Sequence, residues 1–179
     1  GKANYGWLDT KYSFSFANYY NPKMMNFGML RVLNDDTVVP AMGFGTHPHD
    51  NMEIITLVLE GALEHKDSMG TGSVIYKDEV QVMSAGSGIT HSEFNPSDKD
   101  GVKLFQIWIF PKEKNIKPRY DQKSFPISER KNKLIPAVSG LNKEGSLYIH
   151  QDAEIYLGNF EKGKKVNCLI SNPANGAYI

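Results

Sequence analysis

The sequence predicts an all-β fold, an antiparallel barrel or sandwich. Three observations lead there. Apolar and β-branched residues recur in short runs, many with period-2 alternation. Gly, Pro and Asn-Asp clusters punctuate those runs as turn signals. No long stretch carries a helical period between them.

In chain order, residues 12–16 alternate aromatic and serine, a short half-buried strand. A polar-aromatic loop over 18–26 ends in Met24-Met25, residues 27–33 read as a strand, and Asn34-Asp35-Asp36 reads as a turn. Residues 53–59 are apolar on both faces except at Thr56, so this strand is covered on both sides. Gly61 turns the chain into 62–66, and Met69-Gly70-Thr71-Gly72 forms the next turn. Strands follow at 73–76, 79–84 and 89–94, and the longest, 102–110, is ended by Pro111. Residues 112–133 are charged and contain Pro118 and Pro126, which marks an exposed linker with one helical turn near 127–131. Strand patterns return at 146–150, 154–160 and 165–171, with Glu161-Lys162-Gly163 as a turn.

At 179 residues the chain holds one good-sized domain, or one domain and part of another. Lys plus Arg and Asp plus Glu are both 20, so the balance gives no footprint for nucleic acid or for an anionic membrane surface. Cys168 is the only cysteine, which rules out an intrachain disulfide and fits a reducing, cytoplasmic setting. Its alternation with Val166 and Ile170 predicts a small buried apolar residue. The chain carries no signal peptide and no apolar run of transmembrane length.

The chemistry concentrates between Gly43 and Asn95, where three of the five histidines stand beside turn residues. Alternate residues of a strand share a face, so His47 and His49 point one way, as do His91 and Glu93. A lone His-x-His is more often a surface or satisfied core feature. Two period-2 pairs, both beside glycines that bend strands, favour ligation instead. Three imidazoles and one carboxylate suit a borderline divalent metal. Glu53 shares the face of His49 if the strand is unbroken, so spacing alone leaves Glu53 and Glu93 as rival carboxylates. His65 lies in a charged segment and reads as a pocket-wall or hydrogen-bonding residue. His150 stands alone. Gln106 interrupts an apolar strand, and since a buried amide needs partners it is either a structural bridge, the favoured reading, or a contact to a ligand residue or to substrate. Gly43, Gly45, Gly86 and Gly88 permit tight backbone turns beside the site. No phosphate-binding glycine loop, Cys-His pair or nucleophile elbow is present, so the chemistry rests on the metal.

His47-x-His49-x-x-x-Glu53 followed by Gly61 resembles a first cupin motif, and Gly88-x-x-His91-x-x-x-Asn95 a second. More closely, the chain resembles the pirin family of two-barrel cupins. The runs that carry this are Gly6-Trp7-Leu8-Asp9, Phe14-Ser15-Phe16-Ala17, Phe44-Gly45-Thr46-His47-Pro48-His49 and Leu59-Glu60-Gly61 with His65-Lys66-Asp67-Ser68-Met69-Gly70. They continue through Met83-Ser84-Ala85-Gly86, His91-Ser92-Glu93-Phe94-Asn95-Pro96-Ser97, Leu104-Phe105-Gln106-Ile107-Trp108-Ile109 and Ile149-His150-Gln151-Asp152. The resemblance implies a cupin, or jelly-roll, barrel at residues 1–135 including the linker, and the start of a second, incomplete barrel at 136–179, its open edge covered and packed on the first. It implies the ligand set His47, His49, His91 and Glu93, with Glu53 a non-ligand. The cofactor it implies is one divalent ion, iron first, with manganese, nickel, cobalt, copper or zinc as alternatives. It further implies a dioxygenase acting on small aromatic, flavonol-like substrates, with Glu93 as the catalytic base. The alternative it carries is a non-catalytic, metal-binding regulatory protein. A homodimer or a protein partner is compatible with either.

Overall fold

The computed structural model describes residues 1–170 and 174–179. The strands are β1 (Lys2–Asn4), β2 (Leu8–Tyr12), β3 (Leu30–Val38), β4 (Gly43–His49), β5 (Glu53–Glu60), β6 (Ala62–Asp67) and β7 (Gly72–Tyr76). They continue as β8 (Glu79–Ser84), β9 (Ile89–Phe94), β10 (Val102–Ile109), β11 (Arg119–Ser124), β12 (Leu134–Ser139), β13 (Leu147–Tyr148) and β14 (Glu154–Gly158). The helical content among the described residues is a single 3₁₀ turn, Ile127–Glu129. No helix among them is long and apolar enough to cross a membrane.

A seven-stranded sheet, β1-β2-β3-β10-β5-β8-β11, faces a four-stranded sheet, β4-β9-β6-β7, and a small third sheet runs β13-β12-β14. The first two form the cupin-like sandwich without closing into one continuous barrel. Strand alternation gives the large sheet two working faces. Its inner face packs Leu8, Val38, Val58, Val102 and Leu104 against Leu63 and Ile75 of the small sheet. Its outer face presents Ile55, Leu57, Val80, Val82 and Ile107 to Phe125, Ala137, Val138, Leu147 and Ile149. Burying each large aliphatic side chain there contributes about 1.5–3 kcal/mol, so the segment beyond the linker is held on the first unit by its core.

Several strand limits differ from expectation. The first aromatic strand ends at Tyr12, and Phe16 instead bridges Tyr19 in a short loop. The Asn34-Asp35-Asp36 turn is the middle of β3, paired on one side with β10 and on the other with β2. The linker contains β11, which closes the sheet edge beside β8, and the expected helical turn at 127–131 is the 3₁₀ turn Ile127–Glu129. Residues 165–170 pair with no strand and are exposed throughout, so Cys168 is exposed rather than buried; Ser171 lies outside the described residues.

Candidate metal centre

Strand pairing brings the histidines together. β4 lies antiparallel to β9 with His47 opposite His91, and the register shifts between Phe44 and His47. On the other side of β9, Glu93 stands opposite His65 and His91 opposite Asp67. Two glycines allow this closeness. A Cβ at Gly43 would lie 2.2 Å from the Glu93 carbonyl oxygen, and one at Gly86, whose φ is +50°, would lie 2.1 Å from that of Ile116.

The ring centroids of His47, His49 and His91 are 4.5–5.0 Å apart, and their ligating atoms lie within 4.8 Å of one another. His91 and Glu93 form a second group within the same limit, together with His65. The four sequence-predicted ligands are thus two overlapping clusters sharing His91, with His65 as an unforeseen member. Glu53 belongs to neither. The strand breaks after His49, where Asn51 has φ 45°, and Glu53 then lies on the outer face of β5, accepting from Ser84 Oγ at 2.7 Å.

The hydrogen bonds leave the right atoms free for a cation. His47 Nδ1–H donates to the Gly45 carbonyl at 2.7 Å, which leaves Nε2 with its lone pair. His49 Nε2 and His91 Nε2 are buried and have no protein partner. His91 Nδ1 lies 3.4 Å from His65 Nδ1, and His65 Nε2 lies 3.1 Å from Asp67 Oδ2. The tautomers that satisfy both contacts run one way, His91 donating to His65 and His65 to Asp67. Asp67 is fixed in turn by the Met69 and Thr71 amides on Oδ1.

The electrostatics agree. Burial, followed by the neighbouring His47 and His49 charges, lowers His91 to about 2, and burial with His47 lowers His49 to about 4. Both rings are therefore neutral, the form that binds a metal. Burial pushes the Glu93 carboxyl up, opposed first by the Gln106 amide and then by His65, His47 and Thr56. Gln106 Nε2 donates to both Glu93 oxygens, at 3.1 and 3.0 Å, and Thr56 Oγ1 lies 3.3 Å from Oε1. Of its two expected roles Gln106 takes the less favoured one, a clamp on Glu93 rather than a general structural bridge. The donor set fits a divalent first-row ion: three imidazole nitrogens, two of them buried and unpartnered, beside a carboxylate.

These residues line a cavity of about 210 Å³. Its floor is buried: Asn34, Asp36, Ile54, His91, Glu93 and Gln106. Its half-buried rim is largely aromatic, with Phe16, Phe44 and Trp108 beside His47 and His49. Since roughly 150 Å³ admits a benzene ring, the volume accommodates one substituted aromatic ring. Asp36, pushed up to about 6 by burial against the opposing Thr10 hydroxyl and with the Glu93 and Asp35 charges, went unrecognised in the sequence because it sat in an apparent turn. His150 lies beside Tyr148, apart from both metal-capable clusters.

Residues 1–109 match the family model described as Pirin, and residues 137–179 that of the quercetinase C-terminal cupin domain. The sequence is 51% identical to quercetin 2,3-dioxygenase of Escherichia coli (strain K12), an alignment covering 87% of this chain and 66% of that protein. It is 41% identical to the pirin-like protein of Caulobacter vibrioides, covering 100% of this chain and 77% of that one. The crystal structure of the bacterial pirin YhhW from Escherichia coli in complex with nickel(II) matches with a TM-score of 0.82 at 51% identity, covering 87% of this chain and 66% of that chain. The chain therefore spans just under two thirds of the length of the Escherichia coli protein.

Proposed function

The chain belongs to the pirin family, and from that premise we propose that it is a metal-dependent dioxygenase acting on flavonol-like aromatic substrates. The observation that carries the reading is an aromatic-rimmed cavity lined by the His47 and His49 donors at its rim and by His91 and Glu93 on its buried floor. A non-catalytic metal-binding protein would have no need of a ring-sized cavity over that set. Relatives named quercetin 2,3-dioxygenase supply the substrate class.

His47, His49, His91 and Glu93 would hold one divalent ion, iron by preference, with manganese, nickel, cobalt, copper and zinc as alternatives. When bound, such an ion supplies Lewis acidity and a path for electrons to O2. The chain's own residues do the rest. Phe16, Phe44 and Trp108 take the flat faces and edges of the aromatic substrate. The Glu93 carboxylate accepts the proton of its enolic hydroxyl, at an oxygen that Gln106 and Thr56 keep oriented. Burial of the floor keeps bulk water from that proton transfer. The same reading treats residues 1–135 as the metal-binding unit and 136–179 as the start of a second cupin unit, which the two matched spans support.

The test is O2 uptake by anaerobically Fe(II)-loaded protein on addition of a flavonol, for wild type and Glu93→Gln. The variant should turn over roughly 10²–10⁴-fold more slowly, with substrate affinity little changed. Metal content measured on the same samples separates a lost base from a lost ligand. A fully loaded wild type that consumes no O2 with any flavonol or related enediol would overturn the enzyme reading.

A further inference from the structure

Two acceptor atoms on the cavity floor are left unused by the metal site and by the protein. Asn34 and Asp36 are each 3% exposed, both line the cavity, and the Oδ1 atom of each is buried without a protein partner. They stand at i and i+2 of β3, on the inner face of the large sheet, whereas the histidines come from the opposing small sheet. Asn34 is the cross-strand neighbour of Gln106, the clamp on Glu93, and Asp36 that of Leu104. The Thr10 hydroxyl, across from Asp36, is also buried and eases the charge on that carboxylate, yet Asp36 Oδ1 keeps no hydrogen-bond partner. A buried polar atom with no partner destabilises the fold, and such atoms recur where a ligand completes them.

We propose that Asn34 and Asp36 form a substrate-recognition site that accepts hydrogen bonds from aromatic hydroxyl groups other than those directed at the metal centre. This rests on the flavonol-like reading above and narrows it: the chain selects polyhydroxylated aromatics over those whose only hydroxyl is metal-directed. Both side chains present oxygen acceptors to the cavity, so an incoming hydroxyl is matched as a donor and an unsubstituted ring edge leaves both acceptors unsatisfied. Discrimination of this kind is steep, because the analogue lacking the hydroxyl fails to satisfy groups that are already desolvated. On the rim, Phe16 and Phe44 contact either compound alike, and the buried, unpartnered Trp108 Nε1–H is a donor, which an added hydroxyl meets as an acceptor and not as a donor, so the Asn34 and Asp36 variants isolate the acceptor pair.

The experiment measures Kd anaerobically on metal-loaded protein, by quenching of tryptophan fluorescence, for quercetin and for 3-hydroxyflavone, which lacks every other hydroxyl. Wild type should bind quercetin at least about tenfold more tightly. Asp36→Leu should lose about tenfold or more of the quercetin affinity while 3-hydroxyflavone stays within about twofold, and Asp36→Asn, which keeps an acceptor, should recover part of the loss. If Asp36→Leu does not fold, Asn34→Leu is judged by the same criteria. Equal losses for both ligands would assign the pair a structural role and overturn the proposal, as would no loss or a wild type without preference. Because no turnover is measured, these results stand apart from the dioxygenase test. A wild type that binds neither compound would overturn this site together with the flavonol-like substrate class.

Discussion

Replacing Asp36 with asparagine should stabilise the metal-free protein, and the size of the gain should depend on pH in a defined direction. The carboxyl is pushed up from 3.8 to about 6, chiefly by burial. Because the folded value lies above the unfolded one, the native state holds the extra proton between them, and stability falls as pH rises through that window. Below about 3.8 the carboxyl imposes no charge penalty, and above about 6 the penalty is complete. At 1.36 kcal/mol per pH unit, the interval corresponds to about 3 kcal/mol. An amide has no charge to desolvate but keeps a buried polar group, so Asp36→Asn should gain about 1–3 kcal/mol at neutral pH. Urea unfolding followed by tryptophan fluorescence from pH 4 to 8 gives the difference curve, in which the other titrating groups largely cancel. A gain that grows between pH 4 and 6 and then levels is expected. A pH-independent difference, or a wild type more stable than the variant at pH 7.5, would refute the reasoning.

Two further substitutions probe the groups that hold the candidate ligands. Gln106→Leu removes both amide hydrogen bonds to Glu93 and should lower metal affinity by roughly 10–100-fold in chelator competition; unchanged affinity would show that Glu93 needs no clamp or is no ligand. His65→Phe keeps ring volume but deletes the acceptor for His91 Nδ1, and a loss of roughly the same size is expected, with the metal-to-chain ratio at saturation still one. Complete loss of binding in that variant would instead make His65 a ligand.

The convergence of the candidate ligands was legible in the sequence because its information is local. His-x-His and His-x-Glu carry the strand period themselves, and the glycines beside them announce the bends. The choice between Glu53 and Glu93 was not local. It depends on the chain leaving the small sheet at Asn51 and entering the large one at Glu53, which places that side chain on the outer face beside Ser84. Asn34-Asp35-Asp36 has the composition of a turn, yet β2 and β10 hold it extended, and two of its side chains turn toward the cavity. Local propensity failed there because strand pairing on both sides outweighs it. The β11 strand was hidden for a different reason: an edge strand rich in charge lacks a hydrophobic pattern and is defined by its pairing with β8.

The most direct test of the account is metal stoichiometry in the His47→Ala/His49→Ala double variant, measured after anaerobic loading and desalting beside the wild type. The account predicts one ion per chain in the wild type and almost none in the variant, with circular dichroism unchanged. Full retention of the ion in the double variant would contradict it. The metal would then belong to the His65, His91 and Glu93 cluster, deeper in the sandwich.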